Sequence, residues 1–124
     1  MVTFEEAADM LDEIAEGLPQ EFFGELTGGV YLLPDMIKHP ESLPGRPLFT
    51  LGEYIRHYGG RYINLYYGSF RRVYGHYNAK QMRGALRRVL LHEFTHHLEF
   101  LAGERGLEVK DEIEMERYLR MENT

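Results

Sequence analysis

The longest helical pattern in the chain covers residues 78–103, NAKQMRGALRRVLLHEFTHHLEFLAG. Asn78 and Gln81 have the spacing of a capping box, which predicts that a helix begins there. Apolar residues recur along the helix in two adjoining stripes, and Glu93 and His96 interrupt one of them. Because an unpaired ionisable group in a core is costly, these two residues mark where we expect the chemistry.

Residues 92–96, HEFTH, match the pattern HExxH. Positions four apart share a helix face, so His92 and His96 can bind one cation. Zinc suits two neutral imidazoles and an oxygen ligand, with a fourth position for water, whose proton Glu93 could accept during attack on a carbonyl. The alternative is a core-facing histidine pair satisfied by hydrogen bonds. His97 points off this face and is expected to be partly exposed or to support a ligand.

The third metal ligand is an open choice among carboxylates. Asp111 follows a predicted helix break at Gly103 and Gly106 and lies on a returning segment, where the third ligand of such sites commonly sits. Asp111 also forms a capping box with Glu114 and could simply begin a short C-terminal helix. Glu99 continues the stripe of the two histidines by one turn and is the second choice, and Glu112 is the third.

The other segments predict an α+β fold with about three strands. Thr3 and Glu6 form a capping box at the start of an amphipathic helix that ends near Gly17. Four prolines between residues 34 and 47 predict a stiff surface loop. The remaining predicted elements are a short helical turn over 19–26 and strands over 30–33, 48–51 and 62–67.

Composition restricts the kind of protein and the kind of metal site. The chain has 124 residues and no cysteine, which predicts a single domain, 1–124, without disulfides or thiolate metal sites. No run approaches the roughly 18 apolar residues that span a bilayer. The first residues are acidic and helical in pattern rather than a basic apolar leader, so we expect no membrane association and a cytoplasmic location.

The net charge of −6 hides a segregation of charge along the chain. Residues 1–28 carry eight acids and no Lys or Arg, residues 46–92 carry nine Lys or Arg and one acid, and residues 93–124 return to nine acids against four bases. The simpler interpretation of this segregation is intramolecular charge complementarity, with the acidic end helices lying near the basic middle. The basic, tyrosine-bearing stretch 61–74 could instead bind nucleic acid, but a pI near 5.5 disfavours this.

Several short segments occur in an order that resembles the minimal zincin family, small single-domain bacterial proteins of the zinc metallopeptidase type. The resemblance covers most of the chain. Its segments are Thr-Phe-Glu-Glu at 3–6, Leu-Pro-Gln-Glu-Phe at 18–22, a proline-rich loop, Leu-Phe-Thr-Leu-Gly-Glu-Tyr at 48–54, Tyr-Gly-Gly at 58–60, a strand at 63–68 and His-Glu-Phe-Thr-His-His at 92–97.

The resemblance implies a compact zincin-like domain with a small sheet, a long metal-binding helix, zinc on His92 and His96, and Glu93 as base. Members of the family continue the motif as HExxHxxGxxD, in which the final Asp is the third ligand. Here Glu99 stands at the glycine position and Ala102 at the Asp position. The departure leaves the choice between Asp111 and Glu99 open.

The leading expectation is therefore a zinc-dependent metallopeptidase whose substrate is a peptide or protein. A domain this small has no second lobe, so substrate is expected in a shallow groove along the sheet edge, or in a groove completed by a second copy of the chain. The rival expectation is a non-catalytic, metal-stabilised module that binds a protein partner. Nucleic-acid binding ranks third.

Overall fold

The fold is taken from a computed structural model that describes residues 1–58 and 60–105. The α+β class and the small sheet are as predicted, and the described residues form three α-helices and a mixed sheet. In chain order the elements are α1 (Phe4–Glu16), a 3-10 helix (Gln20–Phe23), β1 (Gly29–Leu33), β2 (Ile37–Lys38), β3 (Phe49–Thr50), β4 (Gly52–His57), β5 (Gly60–Tyr66), α2 (Tyr67–Tyr74) and α3 (Ala79–Arg105).

The main sheet has the strand order β1-β5-β4. The central strand β5 runs parallel to β1, with Val30 opposite Ile63, and antiparallel to β4, with Tyr54 opposite Ile63. Strands β2 and β3 form a separate antiparallel pair. Strand β4 is therefore an edge of the main sheet, and it packs against α3.

Two of the three predicted capping boxes are present, and the third, at Asp111, lies outside the described residues. At the start of α1, the Thr3 hydroxyl accepts a bond from the Glu6 amide, and the Glu6 carboxylate accepts one from the Thr3 amide. Asn78 and Gln81 make the same reciprocal pair before α3, at 2.9 and 3.0 Å. Each box satisfies two amides that the first turn of a helix leaves free.

Strand β4 and helix α2 were not among the predicted elements. Strand β4 carries charged residues at several positions because it is an edge strand with one face towards solvent, so its apolar pattern is weak. Helix α2 follows β5 without a breaking residue, and no side chain caps its start. The predicted break lay at Gly103 and Gly106; α3 passes through Gly103 and continues to Arg105, and Gly106 lies outside the described residues. The predicted C-terminal helix lies outside the described residues.

The core lies between α3, α1 and the sheet. Phe94 of α3 sits at its centre, fully buried, with its ring 4.9 Å from Phe23 and 6.0 Å from Phe22 of the 3-10 helix. Burying an aromatic side chain of this size removes a large apolar area from water and fixes the rotation of the helix that carries it. The other largest buried apolar side chains are Ile14, Ile63, Leu65, Phe70, Met82, Leu86, Leu90 and Leu91.

Within the part of the chain that the structure describes, no helix has the length and apolar character needed to cross a membrane.

Candidate metal centre

The buried face of α3 shows on which side of the helix the motif residues lie. Leu90, Phe94 and Leu101 are buried in the core, whereas His92 and His96, two positions after Leu90 and Phe94, are exposed. Two positions correspond to about 200° around an α-helix, so the two histidines face away from the core. The core-facing histidine pair is therefore not the arrangement that the fold adopts.

The imidazoles of His92 and His96 converge on one point. Their Nε2 atoms are 3.1 Å apart, and the rings are perpendicular with centroids 4.6 Å apart. Two nitrogens bound to one tetrahedral zinc at about 2.0–2.1 Å would be about 3.3–3.4 Å apart. Burial and the neighbouring His96 lower the pKa of His92, which favours the neutral ring that a metal requires. The pair fits two ligands of one zinc ion.

The same 3.1 Å separation also fits an N–H···N hydrogen bond, in which one neutral ring donates to the other. The two interpretations differ in what they require of the surroundings. The side chain of His96 is 48% exposed, so water could satisfy it and burial does not force the two rings together. The two rings therefore do not converge in order to satisfy buried polar groups.

Glu93 lies beside this pair but is buried, with 6% of its surface exposed. The backbone amide of Tyr54, on the edge strand β4, donates a hydrogen bond to its carboxylate. Burial raises the pKa of the Glu93 carboxyl, and the negative charge of Glu53 adds to this, while His96 and the Tyr54 amide oppose it. A carboxyl whose pKa is raised by burial in a groove has the character of a proton-transfer group.

His97 is fully buried, so the prediction of partial exposure is wrong. Its Nε2 lies 2.8 Å from the carbonyl oxygen of Gly24, and its Nδ1 lies 2.7 Å from the Tyr54 hydroxyl. Because a carbonyl only accepts, Nε2 carries the proton, and the neutral ring accepts from Tyr54 at Nδ1. Burial lowers the pKa of His97, which keeps the ring in this neutral form. His97 thus connects α3 to β4 through Tyr54 and to the segment after the 3-10 helix through Gly24.

Gly52 allows β4 to lie close to the motif helix. A Cβ atom at this position would lie 2.7 Å from Cγ1 of Val89 and 3.4 Å from Cγ of Glu93. Real Cβ atoms do not approach carbon atoms at 2.7 Å, so a larger residue would push the strand and the helix apart. The glycine therefore sets the distance across which the Tyr54 amide reaches Glu93.

Residues 1–58 and 60–105 contain no group of three His, Asp or Glu side chains placed to hold a metal ion. The Glu99 carboxylate lies 3.9 Å from Nδ1 of His96, on the nitrogen that does not face His92. At this distance Glu99 makes no hydrogen bond to the ring, but it lies on the side from which carboxylates orient metal-binding histidines. The other two candidates, Asp111 and Glu112, lie outside the described residues.

The motif residues line an open groove with a volume of about 940 Å³. Strands β3 and β4, helix α3 and the loop after β2 form its walls. The lining side chains that were not identified as functional from the sequence include Tyr54, Arg56, Arg88 and Phe100. The helical spacing of Arg88 to His92 is a signal that could have identified Arg88. For Tyr54 and Arg56 there is no such local signal, because they reach the groove from a strand about forty residues earlier.

Comparisons with known proteins show similarity at the level of a solved structure. The chain matches no family model and no curated protein. It is similar to the structure of a conserved hypothetical protein from Thermus thermophilus, with 33% sequence identity, a TM-score of 0.69, and coverage of 82% of this chain and 99% of that chain. At this identity over nearly the whole of its relative, the protein belongs to the same family as that conserved hypothetical protein.

Proposed function

We propose that the protein is a zinc-dependent metallopeptidase of the minimal zincin type, with a zincin-like fold. In this proposal His92 and His96 are two of the zinc ligands and Glu93 is the general base. The observation that carries the proposal is the convergence of the two Nε2 atoms, 3.1 Å apart, beside a buried carboxylate in an open groove. A carboxylate next to a pair of imidazoles is the donor set that hydrolytic zinc sites use.

Zinc bound to this pair would supply a Lewis acid that polarises the carbonyl of a peptide bond. The chain itself supplies proton transfer. The Glu93 carboxylate accepts a proton from the attacking water and delivers it to the nitrogen of the leaving amine, and the raised pKa of Glu93 suits a group that must do both. The Tyr54 amide holds the carboxylate in place between these steps.

Asp111 is our first choice for the third ligand, ahead of Glu99 and Glu112. Glu99 already lies beside Nδ1 of His96, where a carboxylate can orient the ring, so a ligand from a later segment would complement it. A variant series of Asp111→Asn, Glu99→Gln and Glu112→Gln would identify the ligand by the largest loss of zinc affinity.

The substitution Glu93→Gln tests the proposed mechanism. We expect the variant to bind one zinc ion per chain and to hydrolyse a peptide library about 10²- to 10⁴-fold more slowly than the parent. Glu5→Gln, on an exposed turn of α1, is the matched control and should leave the rate unchanged. Hydrolysis by Glu93→Gln at the parental rate would remove the general-base role.

A metal-stabilised binding module is the second candidate. Two converging imidazoles lie on one helix, while the predicted third ligand, Asp111, lies beyond residue 105. A metal held by both would fasten that later segment to α3 and stabilise the fold without any reaction. This candidate predicts a large loss of thermal stability on chelation and no cleavage of any peptide by the zinc-loaded protein.

A further inference from the structure

Two arginines line the groove on either side of the imidazole pair. Arg88 lies on α3 one turn before His92, and both line the groove. Arg56 lies on β4 with its guanidinium over the ring of Phe100, 4.2 Å from the centroid, and Phe100 follows His96 by one turn. The groove therefore has a cation at each end and the candidate metal ligands between them.

Neither arginine is neutralised by an acid within residues 1–58 and 60–105. Arg83, by contrast, pairs with Glu13 at 2.7 Å, but no described carboxylate lies within ion-pair distance of Arg56 or Arg88. The stacking of Arg56 on Phe100 restricts the side chain and leaves the guanidinium edge free to donate. Such an edge matches a carboxylate, which can accept two parallel hydrogen bonds from it.

Two of the three acids of the groove are hydrogen-bonded by the protein, and the third, Glu99, lies next to a histidine. Glu53 accepts a hydrogen bond from the Tyr66 hydroxyl at 2.7 Å, Glu93 accepts one from the Tyr54 amide, and Glu99 lies beside His96. The two guanidiniums at the ends are therefore the cations of the groove that have no ion-pair partner among the described residues.

We propose that the groove binds acidic peptides, with Arg88 and Arg56 each holding a carboxylate side chain on opposite sides of the bond that lies over His92 and His96. This inference rests on the proposed function for the position of that bond, but the binding preference itself requires no reaction.

The spacing sets the length of the peptide. Arg88 and Phe100 are twelve positions apart on α3, or about 18 Å at 1.5 Å per residue. An extended chain rises about 3.3 Å per residue, so about five or six residues cover this distance. His92 and His96 lie symmetrically between the two ends, which places the acidic residues about two or three positions to either side of the central bond.

A peptide fits this arrangement better than a nucleic acid does. Nucleic-acid grooves follow a continuous line of phosphates with cations throughout, whereas here three carboxylates, Glu53, Glu93 and Glu99, lie between and around the two arginines. A phosphate backbone would meet repulsion in the middle of the groove, while a peptide with isolated acids near its ends would not.

The test measures binding in the Glu93→Gln variant, so that cleavage cannot interfere. The probe is a fluorescein-labelled six-residue peptide with Glu at both ends, compared by anisotropy at low salt with the same peptide carrying Gln. We expect the Glu peptide to bind about tenfold more tightly, in line with charge-assisted hydrogen bonds. Arg56→Gln and Arg88→Gln should each remove most of this preference, and Arg71→Gln, exposed on α2 outside the groove, should not.

The outcomes separate the preference from the proposed activity. Acid-dependent binding without any cleavage by the zinc-loaded parent supports the inference and contradicts the peptidase. Equal cleavage or binding of the Glu and Gln peptides, unaffected by either arginine variant, overturns the inference and leaves the peptidase standing. Displacement of the peptide by a single-stranded oligonucleotide at lower concentration overturns it in favour of nucleic acid. If Glu93→Gln does not fold, the zinc-free parent serves in its place.

Discussion

The hydroxyl of Tyr54 donates a hydrogen bond to Nδ1 of the buried His97 at 2.7 Å. The backbone amide of the same tyrosine bonds to Glu93, so one residue of an edge strand holds two residues of the HExxH helix that point in different directions. A helix that carries catalytic groups needs support of this kind, because its own hydrogen bonds fix its backbone but not the strand that faces it.

Tyr54→Phe removes the hydroxyl and leaves Nδ1 of His97 buried without its donor. We expect the free energy of unfolding to fall by about 1–3 kcal/mol, the cost of an unsatisfied buried polar group. Urea unfolding would measure the change. Tyr31→Phe is the matched control, because that side chain is 51% exposed and its loss should change stability by less than about 0.5 kcal/mol. Equal effects of the two substitutions would show that the bond to His97 contributes nothing.

Zinc should stabilise the folded protein through the two imidazoles. At a free zinc concentration of about one hundred times Kd, binding to the native state alone adds about 2.7 kcal/mol to the free energy of unfolding. A thermal melt with and without zinc would detect this as a rise in Tm. The rise should vanish in His96→Ala and persist in His76→Ala, which removes an exposed histidine before α3. A rise that survives His96→Ala would locate the ion elsewhere.

Gly52→Ala places a methyl group 2.7 Å from Cγ1 of Val89. We expect a loss of about 1–3 kcal/mol, as for other overpacked positions, together with reduced hydrolysis, because β4 moves away from Glu93. Gly103→Ala is the control: nothing lies within 4 Å of its added Cβ, and in a helix alanine should stabilise by about 0.5–1 kcal/mol. Unchanged stability of Gly52→Ala would mean that β4 and α3 tolerate a wider separation.

Tyr66 should make stability depend on alkaline pH. Burial and the bond to Glu53 raise the pKa of the Tyr66 phenol in the folded state. The stabilisation from this group is therefore complete below the unfolded pKa of about 10 and is lost as pH rises through the higher folded value. Urea unfolding of the parent and of Tyr66→Phe between about pH 8 and 11 should show a difference that narrows as pH rises. A constant difference would mean that folding leaves this pKa unchanged.

Local signals were enough to predict α1, β1 and the start of α3, since capping boxes and apolar periodicity act over a few residues. They could not predict β4, whose stability comes from pairing with β5 and from packing on α3. His97 shows the same limit at the site. It shares a helix face with the buried Phe94 and Leu101, but a polar side chain is not expected in a core. Its burial depends on hydrogen bonds to the Gly24 carbonyl and the Tyr54 hydroxyl, which belong to distant segments of the chain.

The groove residues also divide into those that a local sequence pattern predicts and those that only tertiary contacts bring into place. His92, Glu93 and His96 are recognisable because the proposed zinc chemistry needs them at fixed helical spacing. Arg56 and Tyr54 enter the groove only because β4 is an edge strand next to α3. The spacing of residues along the chain does not predict that contact.

The two pairings of the central strand differ greatly in their separation along the chain. Ile63 lies opposite Tyr54, nine positions away, and also opposite Val30, thirty-three positions away. Bringing distant segments together costs more chain entropy than closing a hairpin. We therefore expect the β4–β5 hairpin to form before β1 pairs with β5. The strand that borders the groove then belongs to the part that folds quickly, and the docking of β1 is expected to limit the rate. Slower refolding of a Val30→Ala variant would support this order, whereas faster unfolding alone would contradict it.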